Sequence, residues 1–125
     1  MKKLTPVLYV DAIEPCLPFW VDRLGFTKTV EVPHENAIGF VILARDGLEL
    51  MYQTWASAAA DLAGATQRTQ GRSAALYIEV ANLDQVERAL HGADIVHPRR
   101  KAFYGATEIF VREPGGHVVG FAQTG

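Results

Sequence analysis

The chain has 125 residues, 49% hydrophobic and 21% charged, which is enough apolar material for one domain to bury a core without a disulfide or a structural metal. Its formal charge of −2, with no block of like charges, weighs weakly against nucleic-acid and membrane-surface partners, both of which usually show a basic patch. The single cysteine, Cys16, excludes an internal disulfide and a multi-cysteine zinc site, and within an apolar helix it reads as a small buried hydrophobe. Lys2 and Lys3 are not followed by a long apolar run, and no segment reaches the length of a membrane span, so the expected location is the cytoplasm.

Leu4 to Val10 reads as a first strand. Asp11, Glu14 and Pro15 supply helix-start chemistry, and Pro18 is near the limit of what the first turn accepts, so a helix is expected from about Glu14. Leu17, Trp20, Val21 and Leu24 form its apolar stripe and Gly25 its left-handed cap. Three strands follow, Thr27 to Val32, Ala37 to Ala44 and Leu48 to Thr54, the last two joined by an Asp46-Gly47 hairpin turn. Residues 56–72, rich in Ala, Ser, Gly, Thr and Gln, read as a linker with a short helix over Ser57 to Leu62.

The pattern then repeats. Ser73 to Val80 is a strand, Asn82 an N-cap with Gln85 in the capping-box position, and Leu83, Val86 and Leu90 the stripe of a short helix ended by Gly92. Ile95 to His97 starts a strand that is expected to break at Pro98, giving a basic and aromatic loop over Arg99 to Gly105. Ala106 to Arg112 and His117 to Gln123 are the closing strands, with Pro114-Gly115-Gly116 between them. Strand, helix and three strands thus occur twice, about seventy residues apart. The expected organisation is one domain of two βαβββ modules, about 1–55 and 73–125, in the α+β class.

That order, with Phe19-Trp20-Val21-Asp22-Arg23-Leu24-Gly25-Phe26, Tyr104-Gly105 and Glu113-Pro114-Gly115-Gly116-His117, resembles the vicinal oxygen chelate superfamily. This group includes glyoxalase I, extradiol dioxygenases, fosfomycin-resistance enzymes and bleomycin-resistance proteins. Pro6-Val7-Leu8, Trp20 with Asp22-Arg23, and the aromatic-Gly pair are most similar to the bleomycin-resistance proteins. The resemblance implies cupped mixed sheets around a ligand pocket, and a homodimer. Its four metal-ligand positions fall on Thr5, Glu49, Ala75 and Gly120. Only Glu49 is a strong donor there, since Ala and Gly offer none and a Thr hydroxyl is weak, so neither a metal nor another cofactor is expected. His34, His91, His97 and His117 share no helical or strand spacing that would replace the set, and read as surface residues.

Glu49, flanked by Leu48 and Leu50, reads either as a base or ligand anchor or as a strand carboxylate paired with an Arg or a backbone donor. By strand alternation Met51 and Gln53 share its face, and by the resemblance Tyr77 does so too. Ala75 and Gly120 are expected to leave space, with Trp55, Phe103 and Tyr104 on segments that rim it, as a site for a flat or cationic organic molecule would have. Core or interface packing is the alternative for each aromatic. Arg99-Arg100-Lys101 is either an anion-recognition run or a solvated loop. The preferred reading is a non-catalytic protein that binds, and sequesters, an antibiotic or other aromatic or cationic compound through Glu49, Met51, Trp55, Tyr77, Phe103 and Tyr104. The alternatives are a lyase, isomerase or dioxygenase-like enzyme using Glu49 as base or metal ligand, and an interaction module.

Overall fold

The computed structural model describes residues 1–64 and 74–125. The chain divides into two compact units, Met1–Gln70 and Gly71–Gly125. The expected linker over 56–72 is therefore seen only at its start, and residues 65–72 and Ser73 lie outside the described residues.

In unit 1, strand β1 (Val7–Val10) pairs in parallel with β4 (Leu48–Thr54), which pairs with β3 (Ala37–Arg45) and that with β2 (Thr27–His34), both antiparallel, giving the order β1-β4-β3-β2. Asp46 and Gly47 join β3 to β4 with φ of 52° and 80°, the pair of positive angles that a two-residue hairpin turn of matching twist requires. Leu8, Val10, Val41, Leu43, Leu50 and Tyr52 alternate onto one face of this sheet and are buried. The other face carries Val7, Tyr9, Glu49 and Met51 and is more open.

The expected helix after β1 takes a different form. A 3-10 turn, Glu14–Cys16, is followed by a π-helical segment, Pro18–Arg23. Pro18 has no N–H to return to the Glu14 carbonyl and its ring crowds that carbonyl, so a regular α-helical ladder cannot pass through it. The wider turns move the buried stripe to Ile13, Cys16, Trp20 and Leu24, with Phe19 beside them, while Leu17 and Val21 are only half-buried. Gly25 ends the segment at φ 71°, as expected of a left-handed cap. The Glu14 carboxylate accepts the Ile38 N–H at 3.0 Å, a bond that ties the turn to β3 and holds the Glu14 carboxyl below its ordinary value. Helix α1 (Trp55–Asp61) starts directly from β4, because the Thr54 hydroxyl accepts the Ser57 N–H at 3.1 Å.

In unit 2, β5 (Ala75–Glu79) pairs in parallel with β8 (Val118–Gln123), followed by β7 (Thr107–Arg112) and β6 (Asp94–Lys101), in the order β5-β8-β7-β6. Helix α2 (Leu83–Ala89) has the expected N-cap, Asn82 Oδ1 accepting the Gln85 N–H at 3.0 Å. Leu83 and Leu90 are buried, as are Ile109, Val111, Val119 and Phe121 on one face of the sheet. The expected break at Pro98 does not occur, and β6 runs through it with register shifts on either side of His97. An edge strand tolerates proline, because its missing N–H falls where no neighbour needs it and bulges absorb the misfit. Arg99, Arg100 and Lys101 are therefore strand residues.

Trp20 and Tyr52 have no exposed surface, and the indole N–H donates to the Tyr52 hydroxyl at 2.8 Å. Tyr52→Phe removes the acceptor and leaves a buried donor unmatched, so it is expected to destabilise the protein by about 1–3 kcal/mol in urea unfolding. An unchanged midpoint would show that this bond contributes nothing.

Candidate functional site

The sequence-predicted site residues divide between the two units, Glu49, Met51 and Trp55 in the first and Tyr77, Phe103 and Tyr104 in the second. In unit 1, Glu49 Oε1 is 2.7 Å from Lys3 Nζ, so its partner is a lysine and not the expected arginine or backbone donor. Met51 is half-buried beside Val7 on β1. Trp55 opens α1 and stacks on Tyr9, ring centroids 4.9 Å apart. Gln53 is nearly buried and donates to the Ser57 hydroxyl at 3.2 Å.

Unit 2 holds the denser constellation. In its sheet, Tyr77 on β5 is opposite Gly120 on β8, Gly120 is opposite Phe110 on β7, and Glu108 on β7 is opposite Arg100 on β6. Alternation sets these side chains on the face opposite the one that packs Ile109, Val111, Val119 and Phe121. Glu108 has no solvent-accessible surface, because polar groups of its own chain cap it. The Tyr77 hydroxyl donates to Oε2 at 2.6 Å, and the Tyr104 hydroxyl lies 2.8 Å from Oε1 and 2.6 Å from Oε2. Arg100 Nε and Nη2 reach Oε1 at 2.9 and 2.8 Å. The hydrogen bonds from Tyr104 and Tyr77, with the Arg100 guanidinium, hold the Glu108 carboxyl below its ordinary value. Reciprocally, the bond to Glu108 raises the Tyr77 phenol far above its ordinary value. The group is thus an ionised carboxylate with two tyrosine hydroxyls donating to it.

Tyr77 and Tyr104 nonetheless keep 53% and 54% of their surfaces exposed, and Phe103 is fully exposed, its ring 4.9 Å from that of Tyr104 in an edge-to-face contact. Arg100 Cζ lies 5.6 Å from the Phe110 ring centroid. The basic run is split by strand alternation. Arg99 donates to Asp84 and Glu87 of α2 at 2.7 and 2.9 Å, while Arg100 turns to Glu108 on the other face. The run lies on β6, so the solvated-loop reading does not hold.

The fourth ligand position also differs from expectation. A Cβ placed on Gly120 would lie 2.6 Å from the Phe110 ring, so the space that Gly120 was expected to leave is filled by Phe110. Ala75 has no donor, Glu49 already pairs with Lys3, and a side chain at position 120 would meet that ring. The residues present do not fit the superfamily's ion. Among the described residues no three His, Cys, Asp or Glu side chains are grouped so as to hold a metal. His117 Nδ1 is 2.8 Å from Oε1 of the buried Glu113, which also accepts the N–H groups of Gly115 and His117 and so closes the tail turn.

Sequence reasoning missed Glu108, Arg100 and Phe110 as one group. Their alternation on β7 and the pairing of β6 with β7 could have brought them together, but only with β6 continued through Pro98.

Residues 4–121 match the Glyoxalase/Bleomycin resistance protein/Dioxygenase superfamily. The chain belongs to this superfamily, and its α+β fold of two four-stranded mixed sheets is the glyoxalase/bleomycin-resistance fold. No curated protein matches the sequence. Among solved structures, TioX from Micromonospora sp. ML1 is similar at 20% identity and a TM-score of 0.74, with 98% of each chain covered. A glyoxalase-related enzyme from Fulvimarina pelagi gives 17% identity and a TM-score of 0.77, covering 99% of this chain and 89% of its own. The bleomycin-binding protein of Streptomyces verticillus, complexed with copper(II)-bleomycin, gives 22% and 0.67 over 100% of this chain and 97% of its own. No helix among the described residues is long and apolar enough to cross a membrane.

Gly120→Ala forces its methyl against Phe110 and is expected to destabilise the protein by about 1–3 kcal/mol in thermal or urea unfolding. Combining it with Phe110→Leu should return part of that loss. Equal stability of Gly120→Ala and the parent protein would contradict the packing described.

Proposed function

We propose that this protein binds a small aromatic or cationic organic molecule without a metal and does not transform it, in the manner of a bleomycin-resistance protein that sequesters an antibiotic. The observation that carries the reading is the engagement of Glu108. A general base needs an oxygen lone pair aimed at the proton it removes. Both Glu108 oxygens are already taken by groups of the same chain, and the carboxylate is held in its weakly basic ionised form. What this anchor does is hold two phenol rings, about half exposed, in fixed positions. Immobilised aromatic side chains lose little entropy when a ligand stacks on them, which suits them to binding.

Tyr77, Phe103 and Tyr104 supply that surface in unit 2, and Glu49, Met51 and Trp55 are the candidate binding residues of unit 1 taken by itself. The enzymatic alternative would use Glu49 as base or metal ligand, yet its carboxylate is paired with Lys3. The reading includes a cytoplasmic homodimer with no cofactor and no nucleic-acid or membrane partner.

The bleomycin-binding neighbour suggests the first probe. Protein freed of metal by chelation and buffer exchange would be titrated calorimetrically with metal-free bleomycin, copper(II)-bleomycin and a panel of planar aromatic cations. Saturable binding to at least one compound is expected, weakened about tenfold or more by Tyr77→Ala and by Tyr104→Ala. No binding across the panel, or conversion of a bound compound that Glu49→Gln abolishes, would overturn the reading.

A further inference from the structure

In unit 2 the guanidinium of Arg100 makes the contacts that a planar organic cation would seek. Its Nε donates to Glu108 Oε1 at 2.9 Å, its Nη2 lies 2.8 Å from the same oxygen as an ion pair, and it lies over the face of Phe110 at 5.6 Å. Tyr77 flanks the same ring, centroid to centroid 6.3 Å, and the hydroxyls of Tyr77 and Tyr104 complete the carboxylate's shell. An ionised carboxylate surrounded by aromatic faces is the chemistry that recognises a guanidinium or amidinium, through charge-assisted hydrogen bonds and cation–π attraction.

Arg100 is the least secured member of this group. It belongs to β6, the edge strand, it follows a register shift, and 46% of its side chain is exposed. A guanidinium in that position can turn into water without leaving a void in a core, whereas Glu108, Phe110, Tyr77 and Tyr104 hold one another in place. Three other carboxylates of the unit do not offer this combination. Asp84 and Glu87 are matched by Arg99 on the outside of α2, and Glu113 is enclosed by its own turn.

Resting on the binding function proposed above, we propose that Glu108, Phe110, Tyr77 and Tyr104 form a subsite for the guanidinium or amidinium end of an aromatic ligand, with Arg100 as its resident occupant. A ligand enters by taking the place of Arg100, whose guanidinium moves to solvent. Arg100 then competes with the ligand and does not contact it, the reverse of what a conventional binding arginine does.

The test uses benzamidine as the probe, with benzoate and benzyl alcohol as anionic and neutral counterparts, titrated into the 125-residue protein and its Arg100→Ala variant. Arg100→Gln serves as a second variant that keeps most of the side chain's length should the alanine form fold poorly. Benzamidine affinity is expected to rise about tenfold or more on removal of the guanidinium. Benzoate and benzyl alcohol should gain nothing, and the gain should vanish in Arg100→Ala combined with Glu108→Gln. Unchanged or weaker benzamidine binding in both Arg100 variants would overturn the proposal, as would an equal gain for benzyl alcohol. The two readings fail separately. Bleomycin or aromatic-cation binding by the parent protein without a benzamidine gain in the variants sinks only the subsite. A benzamidine gain beside a parent protein that binds no compound of the panel leaves the subsite standing and sinks the broader function.

Discussion

A carboxylate with no solvent-accessible surface, on the face of the sheet opposite the one that packs Ile109, Val111, Val119 and Phe121, determines how the groups around it are arranged in unit 2. Burying a charge is unfavourable unless hydrogen bonds and an opposite charge replace the lost water. Glu108 meets that condition with three side chains from three places in the chain, Tyr77 on β5, Tyr104 in the turn after β6 and Arg100 on β6 itself. Each is consequently held by its polar tip while its apolar or planar body remains available. A saturated carboxylate is a poor proton acceptor and a good anchor, and this distinction separates binding from turnover in the present reading.

The same sheet shows how a superfamily position can be reassigned. At the position where the resemblance implies a metal donor, this chain has Gly120, and Phe110 lies against the bare backbone there. The glycine lets the ring pack against β8, and the same ring meets the Arg100 guanidinium. Gly120, Phe110, Arg100 and Glu108 therefore form a connected arrangement in which changing any one disturbs the next. Unit 1 differs, since its corresponding strong donor, Glu49, is paired with a lysine near the chain start.

Much of the fold was legible because it rests on local signals. The Asp46-Gly47 turn, the Gly25 cap, the Asn82 N-cap and the alternation in β3 and β4 each read directly from neighbouring residues. The misreadings came from prolines. Pro18 converted an expected helix into 3-10 and π turns, which shifted the buried stripe from Leu17 and Val21 to Ile13 and Cys16. Pro98 was taken as a strand end, although an edge strand absorbs it by bulging. That second misreading concealed the site, because Arg100 faces Glu108 only when β6 continues. The aromatic members Tyr77 and Tyr104 were visible by strand position and by the Tyr-Gly motif. The carboxylate that joins them was not, since a lone Glu in a β-rich segment carries no sequence signal of its partners.

The most direct test of this account is the titration of Glu108 itself, followed by carbon-13 NMR of its carboxyl in glutamate-labelled protein, with Glu108→Gln identifying the resonance. A carboxyl held below its ordinary value of 4.5 supports folding above that value and loses its contribution as pH falls through the lowered one. The account predicts that Glu108 remains ionised at pH 4.5 in the folded protein and protonates only at lower pH, together with the loss of folded signals. Protonation at or above 4.5 would mean that Tyr77, Tyr104 and Arg100 do not hold the charge, and the aromatic face would lose its anchor.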